Sequence, residues 1–389
     1  MVGALAFISC EQSGSHGGGG GGGASGGGGG GSSVSGTTPE EDATKLWPAQ
    51  EDNGTKWGYI DASGKMAIEA QFDNVSYFSC GCARVWVDGA YKFIDKTGNV
   101  ISENMPTDAV VDNYFYYNVC RYVQNDLYSF MDKNFQPLFT PKFKKLSVMS
   151  ADGLAFCSEI ENLYGYCDKL GEMVISPQFD LVSVFNGGVA VVGRDGNQGV
   201  LYGLINTKGD FVIDYSYTPL YNIGEGIIAF YNSNDKYGLL DNKGNEILSA
   251  TFDDVYVFSE GMAIVRKDDK YGYINKKGEY AIEPMKLEYA TEFSDGVAWI
   301  KEPNGGNWEV IDKTGTVILT LSSQQTAYST FHNGLAMIWE DSQLKYINKK
   351  GDVIYTWHPG SNAPSLEMQQ TEIMNQFHHE IIGNKDYIR

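Results

Sequence analysis

Three sets of residues have types and spacings from which chemistry could be built. His378-His379-Glu380 offers two imidazoles and a carboxylate, but adjacent histidines on a helix point to different sides and cannot share one ion. Histidine is otherwise scarce, with five in 389 residues. His332 occupies a column that elsewhere holds Ser79, Asn186 and Ser259, which reads as solvated loop. The six cysteines (Cys10, Cys80, Cys82, Cys120, Cys157, Cys167) lack metal-ligand spacing. The third set is a column of Asp or Asn that invites a calcium or general-acid reading: Asp61, Asp95, Asp132, Asp168, Asn206, Asp241, Asn275, Asp312 and Asn348. A catalyst needs one special pair of carboxylates, not one in every segment, so the column reads as structural. No Gly-rich phosphate loop and no Ser/His/Asp set can be argued from spacing. The expectation is no catalytic residue, no metal ligand and no cofactor.

The Asp/Asn column recurs every 34 to 38 residues. Four residues before each member stands Trp57, Tyr91, Tyr128, Tyr164, Tyr202, Tyr237, Tyr271, Trp308 or Leu344. Three residues after it stands Gly64, Gly98, Gly171, Gly209, Gly244, Gly278, Gly315 or Gly351, with Phe135 as the exception. Asp or Asn opening a turn and Gly closing it is a type I signature, and the glycine supplies the positive φ of a bulged hairpin. Each unit therefore holds one tight hairpin. Its second half carries Phe78, Phe115, Phe185, Ile223, Phe258, Phe293 and Phe331 before a turn, with Ser150 as the exception, then small and apolar residues at period two, such as Ala263 and Val265. That pattern is a half-buried strand. The intervening column, which includes Val191, Ile264 and Trp299, is mostly apolar too, as expected for sheets stacked against sheets.

The motif Tyr/Trp-Gly-x-Ile-Asp/Asn-x-x-Gly, followed by Phe-Asp and Phe-Ser-x-Gly-x-Ala-x-Val, resembles the bacterial WG-repeat (KWG repeat) family, with Trp57-Gly58 as its name-giving dipeptide. The resemblance covers about 300 residues in eight full units and a half. It implies a repeat protein, often exported or envelope-associated, without shared catalytic residues. Four short strands per unit suggest an all-β repeat fold, a propeller-like array of about eight four-stranded units, with an open β-solenoid or superhelix as the alternative. A closed ring of eight would place Trp86 and Trp339 in neighbouring sheets. Domain limits follow as 56–355 for the repeats and 356–389 for a tail with a short C-terminal helix over 365–382, beginning at Ser365 and stopping at Gly383.

The chain begins with an apolar stretch, residues 1–10, ending in Phe7-Ile8-Ser9-Cys10, which is similar to a bacterial lipobox. In that kind of signal the cysteine, here Cys10, is lipidated. Residues 11–55 are a Gly/Ser-rich tether, with fifteen glycines between Gly14 and Gly36. Such a segment cannot bury apolar area and behaves as a coil. A formal charge of −20 excludes nucleic acid as a natural partner. The other five cysteines align with apolar or turn positions of sister units, so they read as core filler; a Cys157–Cys167 bridge is the sharper alternative, since exported proteins allow disulfides. Bulky aromatics off the regular columns, Trp86, Tyr231, Trp299 and Trp339, are the candidate binding residues, with inter-sheet packing as the other reading. The expected function is a monomeric, lipid-anchored, non-catalytic scaffold of the cell envelope (outer membrane, periplasmic or surface-facing) that binds a protein or glycan and meets the membrane only through its N-terminal lipid. The alternative is a propeller-type glycan-active enzyme using loop carboxylates.

Overall fold

The computed structural model describes residues 45–106, 108–160 and 162–359. Every regular element among them is a strand, and the strands form nine antiparallel sheets in sequence order, six four-stranded and three three-stranded. We number them as blades: 1 (47–72), 2 (74–95), 3 (110–131), 4 (145–179), 5 (181–216), 6 (220–252), 7 (254–285), 8 (289–320) and 9 (326–357). Each blade joins the second half of one sequence unit to the hairpin of the next. Blade 7, for example, runs Asp254–Ser259, Met262–Lys267, Lys270–Asn275, Tyr280–Met285.

The hairpins form for the reason read from the sequence. Asp61 Oδ1 accepts from the amides of Ser63 (2.8 Å) and Lys65 (3.1 Å), and Asn275 Oδ1 does the same for Lys277 (2.9 Å) and Glu279 (3.2 Å). The closing glycines have φ between +75° and +88°. They also pack: a Cβ on Gly278 would meet Leu248 of the preceding blade at 3.2 Å, and one on Gly351 would meet Leu319 at 2.8 Å. The exception, Phe135, adopts φ +60° and is buried with Phe93 and Phe115, ring centroids 5.1 and 5.7 Å away. Burial of a large ring there offsets the strain of a non-glycine residue at positive φ. The other exception dissolves. Ser147 Oγ accepts from Phe156 N (3.0 Å) as Ser76 Oγ does from Arg84 N (2.9 Å), so buried Met149 holds the Phe78 column and the following loop is one residue longer.

Alternate residues of one strand serve opposite neighbours. In blade 7, Ala263 and Val265 pack with Ile223, Ile227 and Leu239 of blade 6, while Met262 and Ile264 pack with Phe293, Ala298 and Ile300 of blade 8. The series closes on itself. Trp47 and Ala49 share a core with Met337, Leu344, Tyr346 and Trp357 of blade 9. Trp47 Nε1 donates to His332 O (2.8 Å), Tyr346 Oη to Pro48 O (2.9 Å) and Tyr355 Oη to Gln50 O (2.9 Å). The array is therefore a ring, a β-propeller, and not an open solenoid.

It has nine blades rather than about eight, because Trp47–Gln50, placed in the tether by composition, is the second strand of blade 1. Its Pro48 hid it from a pattern search. Trp86 (blade 2) and Trp339 (blade 9) are consequently not in neighbouring sheets; blade 1 stands between them. Blade 1 has no inner strand among the described residues. In five other blades the residue aligned with Pro48 donates its N–H to a Ser or Thr hydroxyl just past the inner strand, as Arg84, Phe156, Val191, Trp299 and Met337 do. Proline has no such donor to leave unpaired, and the two tyrosine hydroxyls donate to the Pro48 and Gln50 carbonyls. The ring of Tyr77 lies edge-on to His332 across this gap, 5.3 Å between centroids. His332 is thus part of the seam rather than solvated loop, and burial lowers its pKa to about 4. The seam also carries a cost: the Gln50 amide and the Trp57 and Trp357 indole nitrogens are buried without hydrogen-bond partners. The helix expected over 365–382, the lipobox with Cys10 and His378-His379-Glu380 lie outside the described residues.

Two glycines test how tightly the seam is packed. A Cβ on Gly64 would overlap the Ile354 carbonyl oxygen, whereas one on Gly188 would meet nothing within 4 Å, and both have positive φ. Gly188→Ala is expected to cost about 1 kcal/mol in urea unfolding from backbone strain alone, and Gly64→Ala about 2 kcal/mol or more. Equal costs would show that blades 1 and 9 are not in close contact.

Candidate functional site

The two faces of the ring differ in what their loops hold. One face carries the Asp/Asn turns and the loops between first and second strands. Its carboxylates are engaged in structure: Asp152, Glu225, Glu260 and Asp295 each accept the amide of a glycine in the next blade, Gly188 (3.0 Å), Gly261 (3.0 Å), Gly296 (2.9 Å) and Gly334 (2.5 Å). Lys276 and Lys313 add ion pairs to Glu225 (2.7 Å) and Glu260 (3.2 Å). Hydrogen bonds within their own turns hold Asp61 and Asp312 below the usual carboxylate range. A lowered, anchored carboxylate is a poor proton donor at neutral pH.

The opposite face holds aromatics. Trp86, Tyr231 and Trp339 occupy one column, each paired on the next strand with a residue of the column that opens each repeat: Tyr91, Tyr237 and Leu344. Trp86 meets Tyr91 edge-on (4.5 Å), and the Arg84 guanidinium lies 3.8 Å from the Tyr91 ring. Trp339 is 37% exposed and Tyr91 43%. Tyr231 lies on blade 6, with its hydroxyl donating to Asp235 (2.9 Å). Trp299 does not belong to this face: it is 1% exposed, stacks on Phe331 (5.6 Å) and donates Nε1 to Ser329 O (3.0 Å), filling the space between blades 8 and 9. Sequence reasoning missed Tyr91, Tyr289 and Trp308, because the first and last stand in the regular opening column. Tyr289, 37% exposed, stacks on Trp308 (5.3 Å, 24°), with the Lys301 ammonium 5.5 and 5.9 Å from the two rings. Ring closure sets blades 8, 9, 1 and 2 side by side, so Tyr289, Trp308, Trp339, Trp86 and Tyr91 share one arc of one face.

Cys82, Cys120, Cys157 and Cys167 are buried free thiols. Burial pushes Cys82 up to about 12 and raises Cys120 well above the ordinary thiol range, which makes them unreactive. Cys157 and Cys167 are diagonal neighbours, opposite Gly165 and Ala155 respectively. Diagonal spacing of about 7–8 Å exceeds ordinary disulfide reach of about 5.5–6 Å, and the proposed bridge is not formed. Among the described residues no group of three or more His, Cys, Asp and Glu could hold a metal ion, and no helix is long and apolar enough to cross a membrane.

A family model described as a WG containing repeat matches residues 57–91, 164–197, 202–237, 237–271 and 271–308, each match beginning on an opening aromatic. The chain is a WG-repeat protein. Among solved structures, a eukaryotic initiation factor superposes on this WG-repeat ring with a TM-score of 0.56 at 10% identity, over 80% of this chain and 95% of that one; the likeness is of fold alone. AztD from Citrobacter koseri (TM-score 0.41, 13% identity, 83% of this chain and 97% of that one) and BamB from Moraxella catarrhalis (0.37, 8%, 64% and 88%) are more distant. No curated protein matches the sequence.

One carboxyl of the WG-repeat ring has no structural employment. Glu292, 6% exposed, keeps Oε2 without a hydrogen-bond partner, and burial alone raises its pKa to about 8. Desolvation by burial is the cause of that shift in Glu292. Its folded pKa lies above the ordinary 4.5. From about pH 4.5 to about 8 the unfolded chain has released a proton that the folded chain still holds, so stability falls as pH rises, by at most about 1.4 kcal/mol per unit. Glu292→Gln is expected to flatten this slope, matching the parent in urea midpoint near pH 4 and exceeding it near pH 8. Parallel profiles would mean that the carboxyl has a partner in solution.

Proposed function

We propose that this WG-repeat protein is a non-catalytic binding scaffold of the bacterial cell envelope, held to a membrane by a lipid on Cys10 and engaging an envelope glycan or protein through the aromatic face. The observation that carries the reading is the division between the faces: loop carboxylates are tied into the ring, whereas Tyr91, Tyr289 and Trp339 are left half-exposed on one arc. Half-exposed aromatics supply large contact area at low entropy cost and stack on sugar rings or anchor protein partners. The glycan-active enzyme is the weaker reading, since the loop carboxylates it would use accept glycine amides of neighbouring blades.

Two measurements test the parts separately. Retention of envelope extract components and of a glycan panel by immobilised full chain is expected to drop about tenfold or more in Trp339→Ala and Tyr91→Ala, with thermal midpoints nearly unchanged because surface truncations usually cost within about 0.5 kcal/mol. Trp299→Ala is expected to behave oppositely, losing about 3–5 kcal/mol of stability through the cavity it leaves. Unchanged retention in both surface variants would sink the aromatic-face reading. Cys10→Ala should move the protein from the membrane to the soluble fraction; continued sedimentation with membranes would remove the lipid anchor from the proposal.

A further inference from the structure

Blade 4 brings three sulfur atoms together on one of its faces. Cys157 and Cys167 sit on the paired strands Ala155–Ile160 and Leu163–Cys167, and Cys167 lies directly opposite Met173 on the next strand, Met173–Phe179. Alternation puts Cys157 and Cys167 on the same face, and a register shift between Tyr166 and Cys167 lets Met173 join them there. Gly165 opens the path between them: a Cβ there would lie 2.9 Å from Met173 Cε, so any larger residue would obstruct the methionine where it crosses to Cys157. It does cross, with Cys157 Sγ 3.5 Å from Met173 Sδ. The cysteines are fully buried and free, whereas Met173 is 36% exposed. The cluster is apolar within and open to solvent at the thioether.

The other blades serve as internal controls. The Cys157 column holds Val85, Val192 and Val265, and the Cys167 column holds Ile60, Ile94, Ile205 and Ile274. Tyr122 and Phe230 also stand in the Cys157 column, so packing at these places needs apolar bulk and no sulfur. Blade 1 repeats the methionine device, with Met66 Cε 2.6 Å from where a Gly58 Cβ would stand, but carries Ala49 and Ile60 in the cysteine columns. Methionine over glycine is therefore a packing habit of the repeat, and two thiols beside it are peculiar to blade 4.

We propose that Cys157, Cys167 and Met173 form a binding site for a soft monovalent metal ion, Cu(I). Thiolate and thioether donors select Cu(I) over harder ions, and a three-sulfur set satisfies it without a fourth ligand. Metal–sulfur bonds of about 2.3 Å in a trigonal arrangement place the sulfurs about 4 Å apart, so the observed 3.5 Å needs to open by only a few tenths of an ångström. Binding exchanges two S–H bonds for two S–Cu bonds, releases two protons and leaves the metal at the same oxidation state; the complex carries one negative charge.

The test is anaerobic titration of the reduced full chain with Cu(I) alone against a chromogenic Cu(I) chelator. The expected result is one tightly held equivalent with thiolate-to-Cu(I) charge-transfer absorption. That equivalent should vanish in Cys157→Val and in Cys167→Ile, each of which installs the residue sister blades carry and so preserves the fold, as the metal-free thermal midpoint will verify. It should weaken about tenfold or more in Met173→Leu and persist in the double variant Cys82→Met, Cys120→Ala, which removes the other buried free thiols. Equal Cu(I) capacity in Cys157→Val and the parent overturns the proposal. So does the lack of a tight equivalent in the parent, or Zn(II) outcompeting Cu(I) at the same residues.

Discussion

Everything in this structure follows from one constraint: each blade is apolar on both faces and has no solvent-facing side of its own. Ala263 and Val265 turn to blade 6 while Met262 and Ile264, one residue away, turn to blade 8. A stack of such sheets always leaves two apolar faces over unless it closes. Burying them at roughly 25 cal/mol per Å² is the driving force for closure, and the seam between blades 1 and 9 is where that force acts across the greatest separation in sequence, with a hydroxyl on Tyr346 reaching Pro48 O.

The seam shows how a repeat tolerates an incomplete unit. Blade 1 has only three strands among the described residues, and its inner edge is finished by side chains instead of backbone. Proline removes the donor, tyrosine hydroxyls occupy the acceptors, and Tyr77 and His332 fill space that an inner strand takes elsewhere. Blade 3 makes a comparable repair, replacing a turn glycine with a buried Phe135. Because bulk in the interfaces is supplied locally, the loops on either face are free to vary. The regular face spends its acids on contacts between blades, and the other face carries the aromatics.

Legibility differed between elements for physical reasons. The nine turns were plain in the sequence because Asp or Asn at the start and, in eight of them, glycine at positive φ act within four residues. Trp47–Gln50 was not, because a proline and a glutamine replace the aliphatic alternation and the strand owes its place to tertiary contacts with Trp57–Ile60 and blade 9. That single strand changed the blade count and separated Trp86 from Trp339. Among the candidate aromatics, departure from the repeat columns marked residues that do something unusual without distinguishing filling from exposure: Trp299 is sealed by Phe331 and Ser329, whereas Trp339 faces water. Tyr91 and Trp308 were missed for the converse reason, since a residue in a regular column can still be left at the surface when its blade ends there.

By itself the sequence determined the repeat family, the strand and turn chemistry of each unit, and the structural employment of the Asp/Asn column, all of which depend on residues close together along the chain. Tertiary structure alone decided that the array closes, that it closes at nine, which aromatics remain exposed, and that Met173 crosses Gly165 to meet two cysteines. These last features arise from contacts between strands and blades, whose partners are chosen by packing and whose distances no local pattern encodes.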